Sequence, residues 1–204
     1  MKLYFSPMAC SLASRITIYE KGLDVEFVRV DRSTKRLDDG TDYRRIHALG
    51  LVPALETDDG NLVTENAAVL QYLWRRPPGE LSEDEQTGLA QWLSFIATEL
   101  HKATFAPSFQ AAAPAEAKAF GLQLAPTRLA YVDRHLQDRE HLLDRFTAAD
   151  AYLYTVLNWT WPTKVGLDDH PNVARYYRAM FRRDSVRRAM EVERPMYESL
   201  QAAS

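Results

Sequence analysis

The chain has 204 residues, 46% of them hydrophobic, a formal net charge of −3 and a single cysteine. That length and apolar content suffice for one large domain or two small ones with a packed core, and the mild acidity argues against a broad basic field for nonspecific nucleic-acid or anionic-membrane binding. One cysteine closes no internal disulfide, no zinc-ligand spacing occurs, and no apolar run approaches the roughly 20 residues that span a bilayer. Met1-Lys2-Leu3-Tyr4 opens into a strand pattern rather than a signal-peptide apolar region, so a cytoplasmic, metal-free protein is expected.

In chain order, Lys2–Phe5 reads as strand, Ser11–Lys21 as helix closed by Gly22, and Val25–Val30 as strand, a βαβ unit with a right-handed crossover. The turn Pro7-Met8-Ala9-Cys10 places the thiol at a helix N-terminus, where unpartnered N–H groups and the positive dipole end favour thiolate. The other reading of a lone cysteine is a small buried hydrophobe. A polar stretch with a short helix over Asp42–His47 follows. Pro53–Thr57 and Asn61–Thr64 then flank Asp58-Asp59-Gly60, a strong hairpin signal.

Pro53 marks a strand edge or turn, and Val52–Pro53 is where a cis bond would turn the Val52 backbone outward to pair with an extended, peptide-like ligand. An ordinary trans proline at a strand start is the competing reading. Glu65–Trp74 reads as helix. Its first N–H groups can hold a carboxylate and Glu65 an ammonium, so Glu65 and Asn66 can read an α-amino acid end; alternatively they only stabilise the helix terminus.

Past Pro77-Pro78-Gly79 the strand signal stops and helical spacing takes over. Leu89, Trp92, Leu93, Ile96, Leu100 and Ala103 form one apolar stripe, and Leu122, Leu129, Val132 and Leu136 a second, interrupted by Pro126. Thr147-Ala148-Ala149-Asp150 has the spacing of a capping box ahead of Tyr152, Leu153, Val156 and Leu157. Pro171 opens a further helix with Tyr176, Tyr177, Met180 and Phe181, whose solvated face takes in Arg182-Arg183 and Arg187-Arg188. Ser94 and His101 lie seven apart, close to two α-turns, so both can face one cleft; a histidine beside an apolar stripe is equally a satisfied structural residue. Phe105 and Trp161 read either as the wall of a hydrophobic pocket or as core.

The ordered motifs Met1-Lys2-Leu3-Tyr4-Phe5-Ser6-Pro7 with Ala9-Cys10-Ser11-Leu12-Ala13, Lys35-Arg36-Leu37, Val52-Pro53-Ala54-Leu55, Asp58-Asp59-Gly60, Thr64-Glu65 and Gln71-Tyr72-Leu73 resemble bacterial Beta-class glutathione transferases. So do Trp92–Lys102 and Phe146–Leu153, and the resemblance covers nearly the whole chain. It implies an α/β thioredoxin-like N-terminal domain (1–77), a linker (78–83), an all-α domain (84–204), and a homodimer binding glutathione and a hydrophobic electrophile between the two halves, without nucleic acid or membrane. It further implies that Cys10 faces the glutathione sulfur and can form a mixed disulfide, that Val52 pairs with the cysteinyl backbone beside Pro53, and that Glu65 with Asn66 holds the γ-glutamyl end. Lys35 would meet a carboxylate and His101 the sulfur and electrophile. The expected catalytic set is Cys10, Ser11 as a hydroxyl donor, and His101; Lys35, Val52, Pro53, Glu65, Asn66, Ser94 and Phe105 are expected to bind the substrates.

Some positions depart from the family pattern. Ser94 replaces an asparagine, Asn66 a serine or glycine, and His47-Ala48-Leu49-Gly50-Leu51 an Asn-Pro-Lys-Gly-Gln run, removing polar contacts that can each contribute roughly 1.5–3 kcal/mol. Phe5 stands in place of a tyrosine and Tyr4 points to the opposite strand face, so tyrosine activation of a thiol is not expected. The expected activity is conjugation of glutathione to hydrophobic electrophiles, with thiol–disulfide exchange through Cys10 as a second chemistry. The competing function is a noncatalytic protein on the same frame, such as a stringent-starvation-like regulator or a ligand carrier.

Overall fold

Alternation along the first strand sets the layers of the N-terminal half. In β1 (Lys2–Phe5), Leu3 and Phe5 join a buried cluster with Ile18, Leu55, Val69 and Leu73, whereas Tyr4 faces Val30, Tyr43 and Ala54. The computed structural model, which describes residues 1–77 and 81–202, follows β1 with α1 (Leu12–Lys21), β2 (Glu26–Arg29), a 3₁₀ turn at Tyr43–Arg45, β3 (Ala54–Glu56), β4 (Leu62–Thr64) and α2 (Asn66–Trp74). The sheet order is β2-β1-β3-β4, with β1 parallel to β2 and the remaining pairs antiparallel. Gly22 closes α1 in the left-handed conformation, its N–H reaching the carbonyls of Ile18 and Tyr19.

Contacts divide the chain into Met1–Glu80 with Asp184–Ser204, and Leu81–Arg183. The sequence reading assigned residues 84–204 to one helical domain; the last helix, α9 (Asp184–Ala202), groups instead with the sheet-bearing unit. The reason is a stripe of Ser185, Val186, Ala189, Met190 and Glu193, all buried. Arg15 of α1 donates to Glu193 at 2.7 Å with both side chains enclosed, and Ser185 donates to Glu20 at 2.7 Å. Arg187 and Arg188 therefore sit on α9 and not on the helix opened by Pro171, with Arg188 over the Tyr19 ring at 4.7 Å.

The second unit begins with α3 (Glu83–Phe95), capped by a reciprocal Ser82–Glu85 box. Ser82 and Glu83 were expected in the linker, the first part of which lies outside the described residues. From Ile96 to Phe105 the backbone widens to a π-helix, and the Ala106 N–H bonds the His101 carbonyl five residues back. This shifts the apolar stripe: beyond Leu100 the buried positions are Thr104 and Phe105 rather than the expected Ala103.

A 3₁₀ turn (Ala106–Phe109) leads to α4 (Ala115–Gln123) and α5 (Ala125–His135), separate helices because Pro126 occupies the first turn of α5. Gly121 permits α4 to touch the π segment, since a Cβ there would lie 2.7 Å from the Thr104 carbonyl. After α6 (Ala148–Leu157) come α7 (Thr160–Thr163) and α8 (Pro171–Phe181). Thr147 and Asp150 form the expected capping box. Asp150, completely buried, also accepts from Leu142 N at 2.9 Å and the Tyr176 hydroxyl at 2.9 Å. Among the described residues no helix is long and apolar enough to cross a membrane.

Candidate active site

Strand register collects the motif residues of the first unit at one end of the sheet. Tyr4 pairs with Ala54 and Ala54 with Thr64, so the residues beyond them, Ser6 after β1, Val52–Pro53 before β3 and Glu65–Asn66 after β4, share that edge. Val30 N bonds Phe5 O at 2.8 Å and brings the chain after β2 to the same end. Lys35 then lies against Gly50, where a Cβ would sit 3.1 Å from Lys35 Cδ; Gly50 has φ +59°, a conformation that favours glycine.

Val52–Pro53 is cis. The Tyr43 hydroxyl fixes the approach to it by donating to Leu51 O at 2.9 Å. Cys10 Sγ lies 3.2 Å from Val52 O and donates to it, and Val52 N makes no backbone hydrogen bond among the described residues. Cys10 precedes the Ser11 N-cap, and the first amides of α1 are engaged in the turn, Leu12 N with Ala9 O at 3.0 Å and Ala13 N with Cys10 O at 3.2 Å. A sulfur turned to a carbonyl oxygen has the geometry of an S–H donor.

Ser11 also departs from expectation. It is fully buried, accepts from Ser6 N at 3.2 Å and donates to Ser6 O at 3.1 Å, so its hydroxyl ties the turn together and is not free to serve a ligand. Met8, at the apex, has φ 58° and its N–H donates to Glu193 Oε2 at 2.8 Å. Three of the left-handed non-glycine residues, Met8, Lys35 and Glu65 (φ 64°), fall in these site loops, where strained backbone commonly marks function.

Glu65 is exposed and precedes α2 without capping it through its side chain. Asn66 is 7% exposed; its Oδ1 accepts from the Ser14 hydroxyl at 3.3 Å, and its Nδ2 is buried with no hydrogen-bond partner, a donor left for something outside the fold. Lys35 is held below the ordinary lysine range by burial first and then by the positive charges of Arg32 and Arg44, a cationic neighbourhood suited to an anion. Tyr4, pushed up to about 12 by burial and by its hydrogen bond to Glu56, stays protonated and faces away from this edge. Leu49 and Leu51, 69% and 43% exposed, stand apolar in the loop where the family pattern carries polar groups.

In the second unit His101 sits on the π segment, half-buried, with Nδ1 2.6 Å from the Tyr152 hydroxyl and its ring 4.8 Å from that of Trp159. The wider π turns undo the two-turn spacing with Ser94, which is exposed in the last turn of α3. Phe105 is fully enclosed behind Trp159, their rings 6.4 Å apart, and so belongs to the core rather than to a pocket wall; Trp161 is 87% exposed. Glu193, which takes the Met8 amide, carries no local motif that marks it for this turn. Among the described residues no group of three or more His, Cys, Asp or Glu is placed to hold a metal ion.

Comparison with known proteins identifies the family. Residues 1–75 match the glutathione S-transferase N-terminal domain and residues 115–179 the C-terminal domain. The chain is 41% identical over 200 residues to glutathione S-transferase GstA of Escherichia coli O157:H7, covering 95% of this chain and 98% of that protein. A sphingomonad glutathione S-transferase solved with glutathione superposes with a TM-score of 0.88 at 36% identity, over 95% of this chain and 98% of the other. The bacterial beta-class glutathione S-transferase of Sphingomonas chungbukensis does so with a TM-score of 0.88 at 34% identity and the same coverage. Sequence and fold together place the chain in the glutathione S-transferase family, among neighbours of the bacterial beta class.

Proposed function

We propose that this transferase binds glutathione along the edge that gathers Lys35, Val52 and Glu65–Asn66, and conjugates it to hydrophobic electrophiles. The observation that carries the reading is the chemical order along that edge: a cationic neighbourhood at Lys35, the half-buried Val52 whose N–H makes no backbone hydrogen bond among the described residues, then a carboxylate at Glu65 beside the unpartnered Asn66 amide. Glutathione has the complementary order, a glycyl carboxylate, a cysteinyl amide and a γ-glutamyl ammonium with its carboxylate. Val52 N–H and C=O receive the cysteinyl backbone as an added strand would, Glu65 takes the ammonium, and Asn66 Nδ2 donates to the neighbouring carboxylate.

The sulfur then lies toward Cys10. Cys10 then swings its S–H from Val52 O to donate to the thiolate of glutathione. In the reaction the thiol proton leaves, the thiolate attacks the electrophilic carbon, the carbon–sulfur bond forms and the leaving group departs with the electron pair of the broken bond. The carbonyl-bonded Cys10 favours this conjugation over exchange led by a Cys10 thiolate, and likeness to named transferases over nearly the full length disfavours the noncatalytic alternative. A homodimer in the cytoplasm is the working assembly and location by analogy with the family. Purified protein is expected to conjugate glutathione to an aryl chloride, read by absorbance; no turnover above the uncatalysed rate, with glutathione saturating, would remove the proposal.

A further inference from the structure

The loop that leads into the cis Val52–Pro53 step is pinned through its backbone. Ile46 N and His47 N both bond Tyr43 O, Gly50 N bonds His47 O at 2.7 Å, Leu49 N meets His47 Nδ1 at 3.4 Å, and the enclosed Tyr43 donates its hydroxyl to Leu51 O at 2.9 Å. None of these bonds uses the side chain of Leu49 or Leu51, which stay exposed on either side of the buried Gly50. Val52, the next residue, packs instead on the inner cluster of Tyr4, Val30, Tyr43 and Ala54. A single exposed leucine is ordinary on a protein surface. This pair is set apart by its place.

Gly50 lies against the stem of Lys35, and a Cβ on it would sit 3.1 Å from Lys35 Cδ and 3.4 Å from Arg44 Cγ. Arg32 and Arg44 add positive charge around Lys35, with Asp31 the one opposing carboxylate that acts on it. A thiol tripeptide with its cysteinyl backbone on Val52 and its terminal carboxylate at Lys35 therefore runs its third residue past Leu51 and Gly50. In glutathione that residue is glycine, which offers the two leucines nothing to pack on. Gly50 contributes no side chain between them.

We propose that Leu49 and Leu51 make this transferase a binder of γ-glutamyl-cysteinyl peptides whose third residue carries an apolar side chain, with the terminal carboxylate of the peptide on Lys35. The inference rests on the reading that this edge holds glutathione by its cysteinyl backbone and glycyl carboxylate. An apolar side chain laid on the exposed leucines takes apolar surface out of water on both partners, whereas a polar one of equal length gives up water without gaining a hydrogen bond. The family pattern carries lysine and glutamine at these two positions, so the preference belongs to this chain.

Calorimetric titration of the native protein with reduced glutathione, γ-glutamyl-cysteinyl-leucine and γ-glutamyl-cysteinyl-glutamine tests the proposal. The leucine peptide is expected to bind within about twofold of glutathione or more tightly, and about fivefold more tightly than the glutamine peptide. In the double variant Leu49→Gln, Leu51→Gln, that ratio between the leucine and glutamine peptides is expected to fall to within about twofold. Leu62→Gln replaces another exposed leucine, paired with Glu56 at the far end of the same sheet, and is expected to keep the native ratio.

Saturable glutathione binding with the leucine peptide weaker by more than about twofold, equal affinity for the leucine and glutamine peptides, or a ratio unchanged in the double variant would each overturn the proposal and leave the glutathione edge standing. If none of the three peptides binds, the glutathione edge itself falls and the proposal falls with it.

Discussion

At the scale of the residue, Cys10 shows what local sequence can and cannot convey. The strand-to-helix position pointed to a thiolate under the helix dipole, but the turn Ser6–Cys10 engages the Leu12 and Ala13 amides itself and turns the sulfur toward Val52 O. As the only cysteine, it offers one unambiguous readout. Incubation with oxidised glutathione is expected to give one glutathionyl adduct by exchange, releasing one reduced glutathione, reversible by reductant and absent from Cys10→Ala. Intact mass measurement with and without reductant checks this, and no adduct, or an adduct that persists in Cys10→Ala, would contradict it.

At the scale of the element, what was legible had a local cause. Leu3 and Phe5 alternating with Tyr4, Asp58-Asp59-Gly60 between short strands, Gly22 after α1 and Thr147–Asp150 before α6 each specify their own geometry within a few residues, and each appears as expected. The π segment does not. Its apolar stripe reads as α up to Leu100, and nothing in the composition announces the wider turns that pack against α4 and α6. The α6 cap also does more than its motif states. Burial pushes the Asp150 carboxyl up, and Leu142 N, Thr147 N and the Tyr176 hydroxyl all donate to it. Asp150→Ala leaves these buried donors without an acceptor, at roughly 1–3 kcal/mol each. A loss of at least about 3 kcal/mol, or about 6–12 °C in Tm for a chain of this size, is expected by thermal unfolding. A shift under about 2 °C would mean that the cap is dispensable.

At the scale of the whole molecule, sequence order and packing order part company at α9. Nothing local in Glu191-Val192-Glu193-Arg194-Pro195 marks one carboxylate for burial, yet Glu193 takes Arg15 and the Met8 amide, 178 and 185 positions away. Arg15 is further enclosed by Phe5 and Phe27, at 4.4 and 3.8 Å from its guanidinium. Glu193→Ala strips a buried guanidinium of its carboxylate and is expected to cost about 3–5 kcal/mol in urea unfolding, with Arg15→Met in the same chain restoring part of the loss. An unchanged midpoint would show that α9 is held by its apolar stripe alone. The Tyr152–His101 bond, 51 positions apart, was hidden for the same reason: contacts between distant elements leave no spacing to read.

The central claim is that one edge of the sheet is built for glutathione, and calorimetric titration of reduced glutathione into the native protein and into Glu65→Ala tests it most directly. Glu65 is exposed and caps nothing through its side chain, so its removal should leave the fold intact. The expected result is saturable binding of one glutathione per chain, weakened at least about tenfold in Glu65→Ala through loss of a charged hydrogen bond. No binding heat at millimolar glutathione, or equal affinity in the two proteins, would contradict it.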